Sequence, residues 1–105
     1  MKMQLKIKKM LYNGTILISL VISKTDKIIS KPLISSKGFF NDENIKNFEK
    51  HLVININNFI KEIKNKKLIE TLLKEKIKSF SQKFFRKALD MRPIIQIHII
   101  RIQNY

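Results

Sequence analysis

The spacing at which apolar residues recur changes twice along this chain, from two to about 3.6 and back to two. A period of two belongs to a strand with one buried face, and a period near 3.6 to a helix with one buried stripe. The chain therefore carries strands, then helices, then a strand. In residues 15–23 the apolar side chains Ile16, Ile18, Leu20 and Ile22 fall on one face. Leu17 and Val21 share the other face with Thr15, Ser19 and Ser23, so that side is expected to be only partly buried. Asn13-Gly14 supplies the turn that opens this strand. Residues 24–27 are polar and lead into Ile28-Ile29-Ser30-Lys31-Pro32-Leu33-Ile34, which reads as the return strand of a hairpin. Asp26 tolerates the left-handed conformation that such a turn requires. Pro32 has no N–H for a ladder, which puts the second strand at a sheet edge or gives it a bulge. Gly38 ends the hairpin.

Asn41-Asp42-Glu43 then forms a helix start, with a capping side chain and acids in the first turn. Apolar residues follow at Ile45, Phe48, Leu52, Ile56, Phe59 and Ile63, in steps of three and four. Asn65-Lys66-Lys67 breaks the pattern, and a second stripe runs through Ile69, Leu73, Ile77, Phe80 and Phe84, flanked by Leu72 and Ala88. Pro93 disfavours helix in the residue before it, so this helix is expected to end near Leu89. So short a connection predicts an antiparallel helical hairpin. Residues 94–102 return to a period of two, with Ile95, Ile97 and Ile99 on one face and Gln96 and His98 on the other. The order β-β-α-α-β predicts an α+β fold (two α/β layers): a three-stranded sheet covered on one face by two antiparallel helices, its second face only partly covered.

With 105 residues and 44% apolar content, the chain fits one domain with one core. Residues 1–12 are basic and poorly patterned and read as a connector or tail, leaving 13–105 as the domain. The N-terminal apolar stretch is interrupted by Ser19 and Ser23, lacks a following cleavage site, and is too short to span a bilayer. No membrane partner is expected. The absence of Cys excludes disulfides, thiolate metal sites and Cys nucleophiles, and suits a reducing compartment. The net charge of +14 has two readings. Clustered cations attract phosphate, but nineteen Lys against three Arg, with abundant Ile and Asn, is also what an AT-rich genome writes on a permissive surface. The charge is uneven: +7 over residues 1–40, zero over 41–65, and +7 over 66–105.

No catalytic constellation emerges. His51 and His98 are the only histidines, with no acid at ligand spacing, whereas a zinc site needs three or four converging groups. The acids are scattered and mostly alternate with Lys along the helices, as in Glu70 and Lys74, and no Gly-rich phosphate loop exists. No cofactor, metal or active site is therefore expected in this chain. Interaction surfaces are better supported. At 100° per residue, Lys67, Lys74 and Lys78 align opposite the apolar stripe of the second helix, with Phe85 on the same outer face. Such a basic stripe with one aromatic can hold RNA, or can be a solvated lysine face with Phe85 packed inward or on a partner. Ile54 points away from the first helix's stripe, and with Phe85 and His98 it outlines a candidate interface.

Several segments in order resemble the C-terminal domain of ribonuclease J. They are Ile16-Leu17-Ile18-Ser19-Leu20-Val21-Ile22, then Lys27-Ile28-Ile29-Ser30-Lys31-Pro32, then Ile34-Ser35-Ser36-Lys37-Gly38-Phe39, and finally Arg92-Pro93-Ile94-Ile95 after a helix. Asn13-Gly14 sits where that family usually has an acid and Gly, and Gly14, Gly38, Arg92 and Pro93 are the most family-like positions. The resemblance covers roughly residues 8–102. Asp26, Gln96 and Arg101 depart from the Gly, Pro and Glu common in the family, which puts any contact of that Glu in doubt. The resemblance implies a bacterial-type enzyme of RNA maturation and decay, with endonuclease and 5′-to-3′ exonuclease activity. Its zinc and its chemistry reside in separate metallo-β-lactamase and β-CASP domains, whose His-x-His-x-Asp-His motif is absent here. What it implies for this chain is a non-catalytic assembly domain, partnered by itself or by a ribonuclease J catalytic region. The implied location is the cytoplasm of a bacterium or an organelle of bacterial ancestry. The alternative reading of the residues is a free-standing small basic RNA-binding protein.

Overall fold

The computed structural model describes residues 14–25, 27–38, 40–63 and 69–102. Strand β1, Gly14–Ser23, lies at the centre of a three-stranded sheet, between β2, Leu33–Gly38, and β3, Ile94–Ile102. Helices α1, Asp42–Glu62, and α2, Ile69–Leu89, pack on one face. The expected β-β-α-α-β order and two-layer α+β architecture are therefore present. β1 runs antiparallel to β2, from Gly14 opposite Gly38 to Ser19 opposite Leu33. It runs parallel to β3, from Thr15 beside Ile94 to Ser23 beside Ile102. Parallel neighbours need a long crossover, and here β2 and both helices supply it.

The alternation in β1 determines which face receives the helices. Ile16, Ile18 and Leu20 are wholly buried and Ile22 nearly so, while Thr15, Leu17, Ser19 and Val21 are half-buried. Across the sheet, Ile16 neighbours Ile95 and Ile18 neighbours Ile97, so β3 continues the covered face. Phe48, Leu52 and Ile56 of α1 and Leu73, Ile77 and Phe85 of α2 complete the core with no exposed surface. Removing each such side chain from water stabilises the fold by roughly 1.5–3 kcal/mol.

α1 begins as expected: the Asn41 side chain accepts a 2.7 Å hydrogen bond from the Asn44 N–H, with Asp42 and Glu43 in the first turn. α2 ends at Leu89, where Asp90 takes the left-handed conformation and its N–H bonds the Arg86 carbonyl. The helices are antiparallel. Phe48, early in α1, meets Phe84 and Phe85 late in α2, and Glu62, late in α1, pairs with Lys76.

Two expectations are corrected. The return strand is not residues 28–34 but β2, Leu33–Gly38; Ile28 makes only an isolated bridge to Ile22. The missing N–H of Pro32 interrupts the ladder, and pairing resumes through Ser35-Ser36-Lys37, whose side chains are exposed. β2 does occupy the sheet edge that Pro32 indicates. The buried stripe of α2 also differs from the expected one: it continues from Ile77 to Ser81 and Phe85, while Phe80 and Phe84 lie at its margin. Ser81 can be interior because it is small and its hydroxyl donates to the Ile77 carbonyl at 2.7 Å. The Asp26 turn, the tail at 1–12 and Lys67 lie outside the described residues.

Candidate functional site

The sheet face away from the helices follows directly from register. Its rows are Lys37, Thr15 and Ile94; Ser35, Leu17 and Gln96; Leu33, Ser19 and His98; and Val21 with Ile100. No described element packs on it. Leu33 is 72% exposed, Ile100 53% and Ile94 41%. These side chains surround the half-buried Leu17 and Val21, giving an apolar surface edged by hydroxyls, Gln96 and the exposed His98. In these rows Lys37 is the one Lys or Arg, although the chain carries 22 such residues. A shallow hollow lined by Thr15, Leu17, Ser35, Ser36, Lys37 and Gln96 marks its β2 side.

The family-like glycines shape the end of this face. Gly14 and Gly38 are opposite each other, both with positive φ, at 134° and 125°. A Cβ on Gly14 would run into the Lys37 carbonyl oxygen, so the two strands approach closely there because the side chain is missing. Pro93 is buried between α2 and β3, and the exposed Arg92 shares a hollow with Gln82, Arg86 and Met91.

The sequence-derived site residues do not converge. Phe85 is 0% exposed, packed against Phe48 at 4.7 Å and Phe40 at 5.2 Å between ring centroids. It can neither stack a base nor line an interface in the folded chain. That expectation is corrected: the buried stripe of α2 turns with the helix and takes in Phe85. Lys74 and Lys78 are exposed but are not opposite the core. They flank β3, lining a hollow with Glu75, Ile95 and Ile97, because α2 lies over that strand. Ile54 is 58% exposed on the helical layer, whereas His98 is on the open sheet face, so no single flat contact includes both.

The sequence reading missed two features. Arg101, the departure from the family's usual Glu, joins three elements: its Nε donates to Glu70 Oε1 of α2 at 2.8 Å, and its Nη1 donates to the Ser23 carbonyl at 3.1 Å. Phe84 is, like Phe80, a partly exposed aromatic of α2, in contact with Phe48 and His51. Its position beside Lys83 and Lys87 was the available signal, hidden by assigning Phe84 to the core stripe.

Among the described residues no group of three or more His, Cys, Asp or Glu could hold a metal ion. No described helix is long and apolar enough to cross a membrane. Residues 8–102 match the family model described as the ribonuclease J C-terminal domain. No curated protein matches the chain.

Proposed function

This chain belongs to the ribonuclease J C-terminal domain family, and from that premise we propose that it is the non-catalytic assembly domain of a ribonuclease J-type enzyme. The family places it in RNA processing and decay. The proposed setting is the cytoplasm of a bacterium, or an organelle of bacterial origin. The occupant of the open sheet face is a second copy of the chain.

The observation that carries this reading is the contrast between that face and the rest of the molecule. Two copies with a net charge of +14 repel each other, and close contact is least opposed where cations are few. The face around Leu33, Leu17, Val21, Ile94 and Ile100 combines low charge with exposed apolar area. A docked catalytic region of the same enzyme is the other occupant compatible with that chemistry.

The test is the solution mass of the purified chain, by light scattering after size exclusion at moderate salt. A dimer or larger assembly is expected, reduced to a monomer by Leu33→Lys with Ile100→Lys. Both positions are on the exposed face, so the fold should survive. A monomeric native chain, or an assembly indifferent to both lysines, would sink self-association through this face.

A further inference from the structure

The solvent side of the seam between α1 and α2 has a different chemistry. Phe80, Lys83, Phe84, Lys87 and Ala88, all on α2, line a shallow, open hollow there. Lys83, Lys87 and Ala88 are exposed, and the two rings are partly exposed. No Asp or Glu lines the hollow. Glu62 of α1 pairs with Lys76 at 3.5 Å, beyond the hollow's lining.

We propose that this seam binds single-stranded nucleic acid, a base stacking on Phe84 and Phe80 while adjacent phosphates meet Lys83 and Lys87. The rings are held before any ligand arrives. Phe84 contacts Phe48 at 5.3 Å, Phe85 at 5.5 Å and His51 at 5.6 Å, and Phe80 contacts Phe59 at 6.4 Å, all between ring centroids. A fixed ring loses little freedom on stacking, which favours binding. Lys83 and Lys87 are one turn apart, so both ammonium groups lie along the same side of the helix as the rings.

An acidic peptide would use the cations but gain little from the rings. A duplex hides its bases inside the stack. A single strand uses both features, because every base has a π face and every linkage a phosphate. The seam is on the helical layer, opposite the sheet face assigned to assembly, so the two surfaces can work together and be tested apart. It is also distinct from Lys74 and Lys78, which flank β3 and provide an internal control.

The experiment titrates the full chain into a labelled single-stranded oligoribonucleotide, a duplex of the same length, and heparin, across a salt series. The expected result is preference for the single strand. Phe84→Leu is expected to weaken that binding by about tenfold, with Phe84→Tyr retaining it. Lys83→Gln with Lys87→Gln should lower the salt slope by about 1.4, two phosphate contacts at about 0.7 each. Lys74→Gln with Lys78→Gln removes the same charge and should leave the slope near native. Equal losses from the two lysine pairs would reduce the interaction to net charge and overturn the proposal. So would equal affinity for heparin or duplex, or no binding at moderate salt. Thermal melting checks that Phe84→Leu folds; should it not, the paired lysine variants decide the question alone.

Discussion

Ser23 shows how one side chain can organise the backbone at the end of a strand. Its Oγ accepts from the Thr25 N–H at 3.2 Å and the Lys27 N–H at 3.1 Å, and the residue is almost wholly buried. The Lys27 carbonyl in turn accepts from the Ser23 N–H at 2.8 Å. Ser23→Ala leaves two N–H groups without that acceptor, and we predict a loss of about 1–2 kcal/mol in chemical denaturation. A change below a few tenths would mean that water replaces the hydroxyl without cost. At this scale the sequence is a good guide to caps and glycines. Asn41 and Gly14 do what their residue types suggest. It is a poor guide to neighbours on a helix: whether Phe84 or Phe85 is interior depends on the small Ser81 one turn earlier, and periodicity alone favours the bulkier Phe80.

Between elements, Arg101 adds a side-chain fastening to the apolar packing and the sheet ladders. It ties the end of β3 to the start of α2 through Glu70 and to the end of β1 through the Ser23 carbonyl. Partial burial and charged hydrogen bonds make these contacts stronger than an open surface pair. Arg101→Ala is predicted to cost about 1–2 kcal/mol, with Arg101→Lys recovering only part because an ammonium cannot reproduce the planar fork. Hydrogen exchange should show faster opening at the first turn of α2 in either variant. Unchanged protection there would remove Arg101 from this role. Elements with an apolar signature were legible: β1, β3 and both helices are where their periods place them. β2 was not, since an edge strand of Ser, Ser and Lys is held by backbone pairing and needs no apolar alternation. Arg101 was equally unreadable, because its partner Glu70 is brought near only by the packing of α2 over β3.

For the whole molecule, the two proposed surfaces respond to salt in opposite directions. Pairing two +14 chains through an apolar face should strengthen as salt screens their repulsion. Binding a polynucleotide at the lysine-lined seam should weaken as salt removes the gain from counterion release. We predict that raising ionic strength from 50 to 300 mM increases the assembled fraction while decreasing affinity for the oligonucleotide. If both fell together, the assembly would itself be held by charge, contrary to the face described. The partly covered sheet was readable from the Leu17/Val21 alternation. The depletion of lysine across it was not, because those rows gather residues from three strands and exist only in the assembled register.

The parallel pairing of β1 with β3 also has a consequence for biosynthesis. Thr15 waits for Ile94, so the central strand leaves the ribosome long before its second neighbour exists. At about 5–20 residues per second that interval is roughly 4–16 s. During it, one edge of an isoleucine-rich strand is open to any other extended segment. Contacts so distant along the chain also slow folding relative to local ones. A nascent chain of this type is therefore most vulnerable to misassociation until β3 has been made, and one truncated before Ile94 never escapes that state.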